Sequence, residues 1–210
     1  MTRARNLADF NAAGVLTSTS NLNASKLTSG TIPNGRYGAP AFNGANLTGI
    51  AAGGVTVADQ WRLTSSKTGN QEPLSSSLER VDTDGFSVLG NGMSQSSGIW
   101  TFPETGHYLV MGNVYFSKNG AQRKVGLEIQ ATTNNSSYSV AAEGFSHQSD
   151  EASSEPTLSS VQASFVFDVT NTDTHKLRFY INTNNDNGVS IGGSTDANLT
   201  YFTFIKLSDT

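Results

Sequence analysis

Apolar and polar positions alternate in short runs over residues 59–210. In Ser164–Val169 the apolar residues Phe165, Phe167 and Val169 fall on one face. Near the end, Tyr201, Thr203 and Ile205 alternate with Phe202, Phe204 and Lys206. A period of two is the signature of a strand with two different faces. Further runs have strand-like composition: WRLTSS from Trp61, LERV from Leu78, FSVL from Phe86, GIWTF from Gly98 and HYLVMGNVYF from His107. RKVGLEIQATT from Arg123, SSYSVAAEGF from Ser136, VQASFVFDV from Val161, KLRFYINT from Lys176, VSIGG from Val189 and LTYFTFIKL from Leu199 follow. Turn residues separate them at Thr68–Asn70, Asp82–Gly85, Gly90–Gly92, Pro103–Gly106 and Lys118–Gly120. Asn-Gly and Asp-Gly sites accept positive φ, which a tight hairpin needs. No window of a dozen residues carries helical periodicity. About ten short strands at this spacing predict an antiparallel sandwich or jelly roll.

Ahead of this block the pattern changes. Residues 21–58 hold almost no charge and much Gly, Asn, Ser and Thr, with apolar pulses at intervals. Leu27-Thr28-Ser29-Gly30-Thr31-Ile32 and Leu47-Thr48-Gly49-Ile50 align as two imperfect units, each with Leu-Thr, then Gly, then Ile. Such a segment buries too little apolar surface to offset its chain entropy alone. It could order if three copies wrapped around one another. A flexible linker has a similar composition. Residues 1–20 open with Arg3 and Arg5, then Leu7 and Phe10, which are candidate anchors for docking onto another protein. A frayed terminus is the other reading of that stretch.

Composition narrows the function classes. Charged residues are 14% of the chain and the net charge is −4. A nucleic-acid binder would carry a basic patch or stripe, so none is expected as a partner. No run of about 18 apolar residues occurs, so no membrane insertion is expected. The stretch MTRARNLADF lacks the apolar core of a secretory signal. There is no cysteine, which excludes disulfides, thiolate catalysis and thiolate metal sites.

Two resemblances sharpen the picture. Leu27 to Pro33, followed by Arg36, resembles the short shaft motif of bacteriophage tail fibres and tail-associated appendages. The segment Gly98–Val110 resembles the central motif of tumour necrosis factor-like and complement-type globular heads, through Gly98, Trp100, Phe102, Pro103, Gly106 and Tyr108. Tyr201–Leu207 resembles the last strand of the same heads. The resemblance implies an all-β chain in three parts. A virion-anchoring peptide (1–20) carries Arg3, Arg5, Leu7 and Phe10. An extended trimeric shaft (21–58) packs through Leu27, Ile32, Leu47 and Ile50. A ten-stranded antiparallel jelly-roll head (59–210) completes the chain. It also implies a homotrimer located on the virion, joined to tail or capsid proteins by its N-terminus, with the head contacting a host surface glycan or protein. In the head motif, Pro103 and Gly106 would make the turn, while Trp100, Phe102 and Tyr108 would point into the core or the trimer axis.

Candidate chemistry is sparse. His107, His147 and His175 form no metal-binding or catalytic spacing. Glycoside hydrolysis needs two facing carboxylates. Glu143, Asp150, Glu151 and Glu155 cluster in AAEGFSHQSDEASSEP, a stretch that reads as solvated loop. Asn182–Gly188 resembles half of a calcium loop but lacks the bidentate Glu, and Asn-rich turns adopt the left-handed conformation without any ion. No metal and no cofactor is expected. Tyr138, His147 and Gln148 are candidate sugar contacts, because aromatic rings suit the apolar faces of sugars and amides suit their hydroxyls. Adhesion is the function expected. A purely structural decoration role is the alternative, with polysaccharide depolymerisation behind it.

Overall fold

The computed structural model describes residues 54–150 and 154–210. The proposed anchor residues Arg3, Arg5, Leu7 and Phe10, and the shaft residues Leu27, Ile32, Leu47 and Ile50, lie outside the described residues. So does Glu151 of the acidic cluster.

The described residues form strands and no helix, in the order β1 (Ala58–Leu63), β2 (Lys67–Thr68), β3 (Leu78–Arg80), β4 (Ser94–Ser96), β5 (Ile99–Thr101) and β6 (Gly106–Lys118). β7 (Gln122–Thr132), β8 (Ser139–Gln148), β9 (Thr157–Val169), β10 (Lys176–Asn182), β11 (Ser190–Ile191) and β12 (Tyr201–Ser208) complete them. All pairings are antiparallel. Sheet A has β6 at its centre, with β9 on one edge and β12, β1 and β3 in turn on the other. The short β11 and β2 extend that side beyond β12. Sheet B runs β4-β5-β10-β7-β8. The two sheets close a jelly roll.

Period two explains the packing. In β6, Tyr108, Val110, Val114 and Phe116 are fully buried between the sheets, while the residues between them face out. Trp100 sits at the centre of the core. The ring centroids of Trp61, Phe204, Phe179 and Phe202 lie 5.2, 4.9, 5.9 and 6.1 Å from it. Gly112 faces inward opposite Phe202, where a Cβ would come 2.7 Å from Leu127 Cδ2. At the sheet junction, a Cβ on Gly144 of β8 would come 2.3 Å from the Gln162 carbonyl oxygen of β9.

Three local expectations differ from what is seen. FSVL forms no strand; Leu89 makes only an isolated bridge with Ala58, because Gly85 and Gly90 at positive φ turn the chain at both ends. Strand β9 starts four residues earlier than Val161, carried by its thirteen-residue pairing with β6. Val57 is 2% exposed and β1 begins at Ala58, so the residues just before 59 already pack into the head.

Candidate functional site

The head motif runs from the centre of the core, at Trp100, to the turn at Pro103–Gly106. Trp100, Phe102 and Tyr108 all point between the sheets, and the Phe102 and Tyr108 rings lie 4.7 Å apart. The Tyr108 hydroxyl donates to the Glu104 carbonyl at 3.0 Å, across the turn that Pro103 opens. Gly106 closes it at φ +148, where a Cβ would come 2.4 Å from Lys206 Cε. Burial, with the Glu104 carboxylate nearby, pushes the Tyr108 phenol up to about 12. Lys206 is 5% exposed, yet its ammonium reaches Asp209 at 2.6 Å and Glu104 at 2.8 Å. Those two hydrogen bonds raise its pKa. The motif is architectural, since none of its rings reaches a surface.

The outward face of sheet A is different. Register aligns Ala58 of β1, Ile205 of β12, Leu109 of β6 and Val166 of β9 in one row. Val166 is 52% exposed, and the nearby Leu207 is 49% exposed. The next row is Gln60, Thr203, Met111 and Ser164. The third is Arg62, Tyr201, Asn113 and Gln162. These polar side chains are tied laterally: Gln60 Nε2 donates to Thr203 Oγ1 at 2.8 Å, and Gln162 Nε2 donates to Asn113 Oδ1 at 3.3 Å. A groove of about 670 Å³ runs over the same face, and Ala142 and Glu143 of β8 complete its rim. Glu143 is the one carboxylate among its lining residues, so the groove lacks the paired acids of glycoside hydrolysis. At the far end of the face, His107 Nε2 stands 3.8 Å from Asp168 Oδ1.

Sheet B carries the candidate sugar contacts. Tyr138 precedes β8 and lies against Arg178 of β10, whose guanidinium carbon is 4.5 Å from the ring centroid. Partial burial raises the Tyr138 pKa, against the lowering effect of Arg178. His147 is exposed on β8. Gln148 corrects the sequence expectation. It is 2% exposed and its Nε2 donates to the Thr157 carbonyl at 2.7 Å, so it offers no face to a ligand. Its position next to a turn suggested exposure, but the return of the chain along β9 covers it. His175 is likewise buried, stacked on Phe167 at 5.6 Å between Thr170 and Thr174.

The calcium-like loop has internal partners. Asn70 Oδ1 accepts from the Thr183 and Asn185 amides, and Asn184 and Asn185 adopt φ of 56 and 59. Asp186 pairs with the Lys118 ammonium, and that hydrogen bond is the first cause of its lowered pKa. Among the described residues no cluster of three or more metal-ligating side chains occurs.

Sequence reasoning passed over Leu109, Ile205 and Val166. A signal for them was present: β6 carries Leu109 and Met111 opposite Tyr108 and Val110, so it is apolar on both faces. A half-solvated antiparallel strand is usually apolar on one face alone.

No protein-family model matches the chain, and no curated protein matches it in sequence. Solved structures do resemble it. Murine APRIL at pH 5.0 is 12% identical with a TM-score of 0.53, covering 72% of this chain and 98% of that one. Eiger TNF from S. frugiperda is 13% identical with a TM-score of 0.53, covering 73% of this chain and 94% of that one. The class is therefore defined by fold: the head is a tumour necrosis factor-like jelly roll.

Proposed function

We propose that this chain is a non-enzymatic, homotrimeric fibre protein of a phage virion, whose head recognises a host surface. The observation that carries the self-association is the apolar row Ala58–Ile205–Leu109–Val166 crossing the outward face of sheet A. Large apolar side chains on a single exposed face mark an interface. Val166, 52% exposed, gains about 1 kcal/mol on completing its burial, and the partly buried Leu109 and Ile205 gain less. Three copies multiply that, and the hydrogen-bonded polar rows below it would set register. The virion setting is supported by the fibre-like segment that precedes the head. Three weakly binding tips per fibre would gain avidity on a glycan-coated cell.

The native mass of the full chain, by light scattering after size exclusion, tests assembly. A trimer is expected, and the double substitution Leu109→Asp, Val166→Asp should yield a folded monomer with unchanged near-ultraviolet circular dichroism. A wild-type monomer would overturn the assembly reading. Saturating purified protein should then block phage adsorption; no competition would leave a purely structural role.

A further inference from the structure

On the outward face of sheet B, Arg178 is held in place by two neighbours. Gln130 of β7 is 8% exposed and accepts from Arg178 Nε at 2.7 Å, while its own Nε2 donates to Glu128 Oε2 at 2.9 Å. The Tyr138 ring lies against the guanidinium, with its centroid 4.5 Å from the guanidinium carbon. The two contacts fix the guanidinium plane and use one of its five N–H donors. Arg62 and Arg80 are different: Arg62 bonds to Glu79 and Asp82, and Arg80 to Asp59. Among the described residues no carboxylate pairs with Arg178, so its terminal fork is oriented and unspent.

The surroundings define the complementary ligand. Val140, 49% exposed, stands opposite Gln130 and offers an apolar contact beside the fork. In the next row, Tyr180 of β10 faces Glu128, which faces Glu143. The Tyr180 hydroxyl accepts from Asn70 Nδ2 at 2.9 Å. A carboxylate suits the planar fork as a bidentate partner. The two glutamates repel further anions and accept hydrogen bonds from hydroxyls. A sugar with one carboxylate and several hydroxyls meets all three demands. A polyphosphate chain or a DNA backbone has no donors to give those glutamates, and the two carboxylates repel the string of phosphates of any nucleic acid.

We propose that Arg178, with Gln130, Tyr138, Val140 and Glu128, forms a recognition site for a carboxylated sugar of the uronic-acid type on a surface glycan. This rests on the adhesion reading above and supplies its ligand class. Gln130 and Tyr138 are positioning residues; Arg178 makes the contact.

The test uses the full-length protein and two ligands that differ at one carbon, methyl glucuronide and methyl glucoside. Ligand-observed saturation-transfer NMR should show binding of the glucuronide at least about tenfold tighter than the glucoside, and Arg178→Lys should remove that difference while leaving native mass and circular dichroism unchanged. Equal transfer to both sugars, transfer to neither, or a preference that survives Arg178→Lys would overturn the proposal. The two readings fail separately. Protein that blocks adsorption without preferring the glucuronide sinks this site alone. A glucuronide preference without adsorption competition sinks the adhesion reading alone.

Discussion

The substitution Asp59→Asn removes a single charge without changing shape, and the structure sets its cost. Asp59 lies on β1 with its side chain 0% exposed. Its Oδ1 accepts from the Gln60 amide and from Arg80 Nε, both at 2.9 Å. Its Oδ2 accepts from Trp61 Nε1 at 2.9 Å, the Met93 amide at 2.7 Å and Arg80 Nη2 at 3.1 Å. Five donors converge on two oxygens. An amide replaces one oxygen with a donor, so in either orientation at least two N–H groups face an N–H. Each buried donor left unmade costs about 1–3 kcal/mol. Arg80 also loses its counter-charge, but its side chain is 36% exposed and turns partly to water, which limits that loss. The net expectation is about 3–5 kcal/mol, the range for breaking a buried pair. In a chain of this size each kcal/mol lowers Tm by about 2–4 °C, so a fall of about 10 °C is expected. Urea unfolding followed by tryptophan fluorescence suits the case, since Trp61 is both a donor to Asp59 and a neighbour of Trp100. Protein concentration is held fixed, because self-association adds to apparent stability. A loss below about 1 kcal/mol would refute the claim that this carboxylate pins β1 to the segment leading into β4.

Three further outcomes follow from the packing and charge. Tyr108 and Lys206 both hold their protons more tightly when folded, so their contribution is complete below their unfolded values of 10.0 and 10.5 and is lost as pH rises, for Tyr108 towards its folded value of about 12. Alkaline unfolding should therefore set in above pH 10, and Tyr108→Phe should flatten its slope in a tyrosinate-absorbance titration; an unchanged slope would count against the buried phenol. Asp186 titrates in the opposite sense: its lowered folded pKa makes the Lys118 pairing a contribution that is present above 3.8 and fades in acid, so Lys118→Met should reduce the acid dependence of stability below that pH and leave it unchanged at neutrality apart from the lost pair. Gly144→Ala places a methyl 2.3 Å from the Gln162 carbonyl, a backbone atom that cannot swing away, and should cost about 1–3 kcal/mol in chemical denaturation, with amide exchange rising first along β8 and β9.

Strand existence was legible because it is local. The alternation in β9 and β12 and the turn residues at Pro103–Gly106 act over a few positions, and the long strands form where the pattern places them. The head motif was legible as well, since Trp100, Phe102 and Tyr108 are large apolar groups beside a turn that only certain residues permit. FSVL was misread for the same reason, because composition without a neighbour to pair with does not make a strand. Gln148 was misread because exposure is not a local property; it is covered by chain that arrives from elsewhere.

By itself, the sequence of this protein determined that the head is all-β, with two-faced strands and tight turns, and that no cysteine chemistry takes place. Only the tertiary structure decided what the faces do. Ala58, Leu109, Val166 and Ile205 span 147 positions and become one row through three pairings across four strands. Asp59 and Arg62 are charges that are buried on β1 because Arg80, Glu79 and Asp82 supply partners from elsewhere in the chain. Arg178 and Gln130 meet across 48 positions. A period of two says that a strand has two faces; which face meets core, partner or ligand depends on the neighbours that long-range pairing brings.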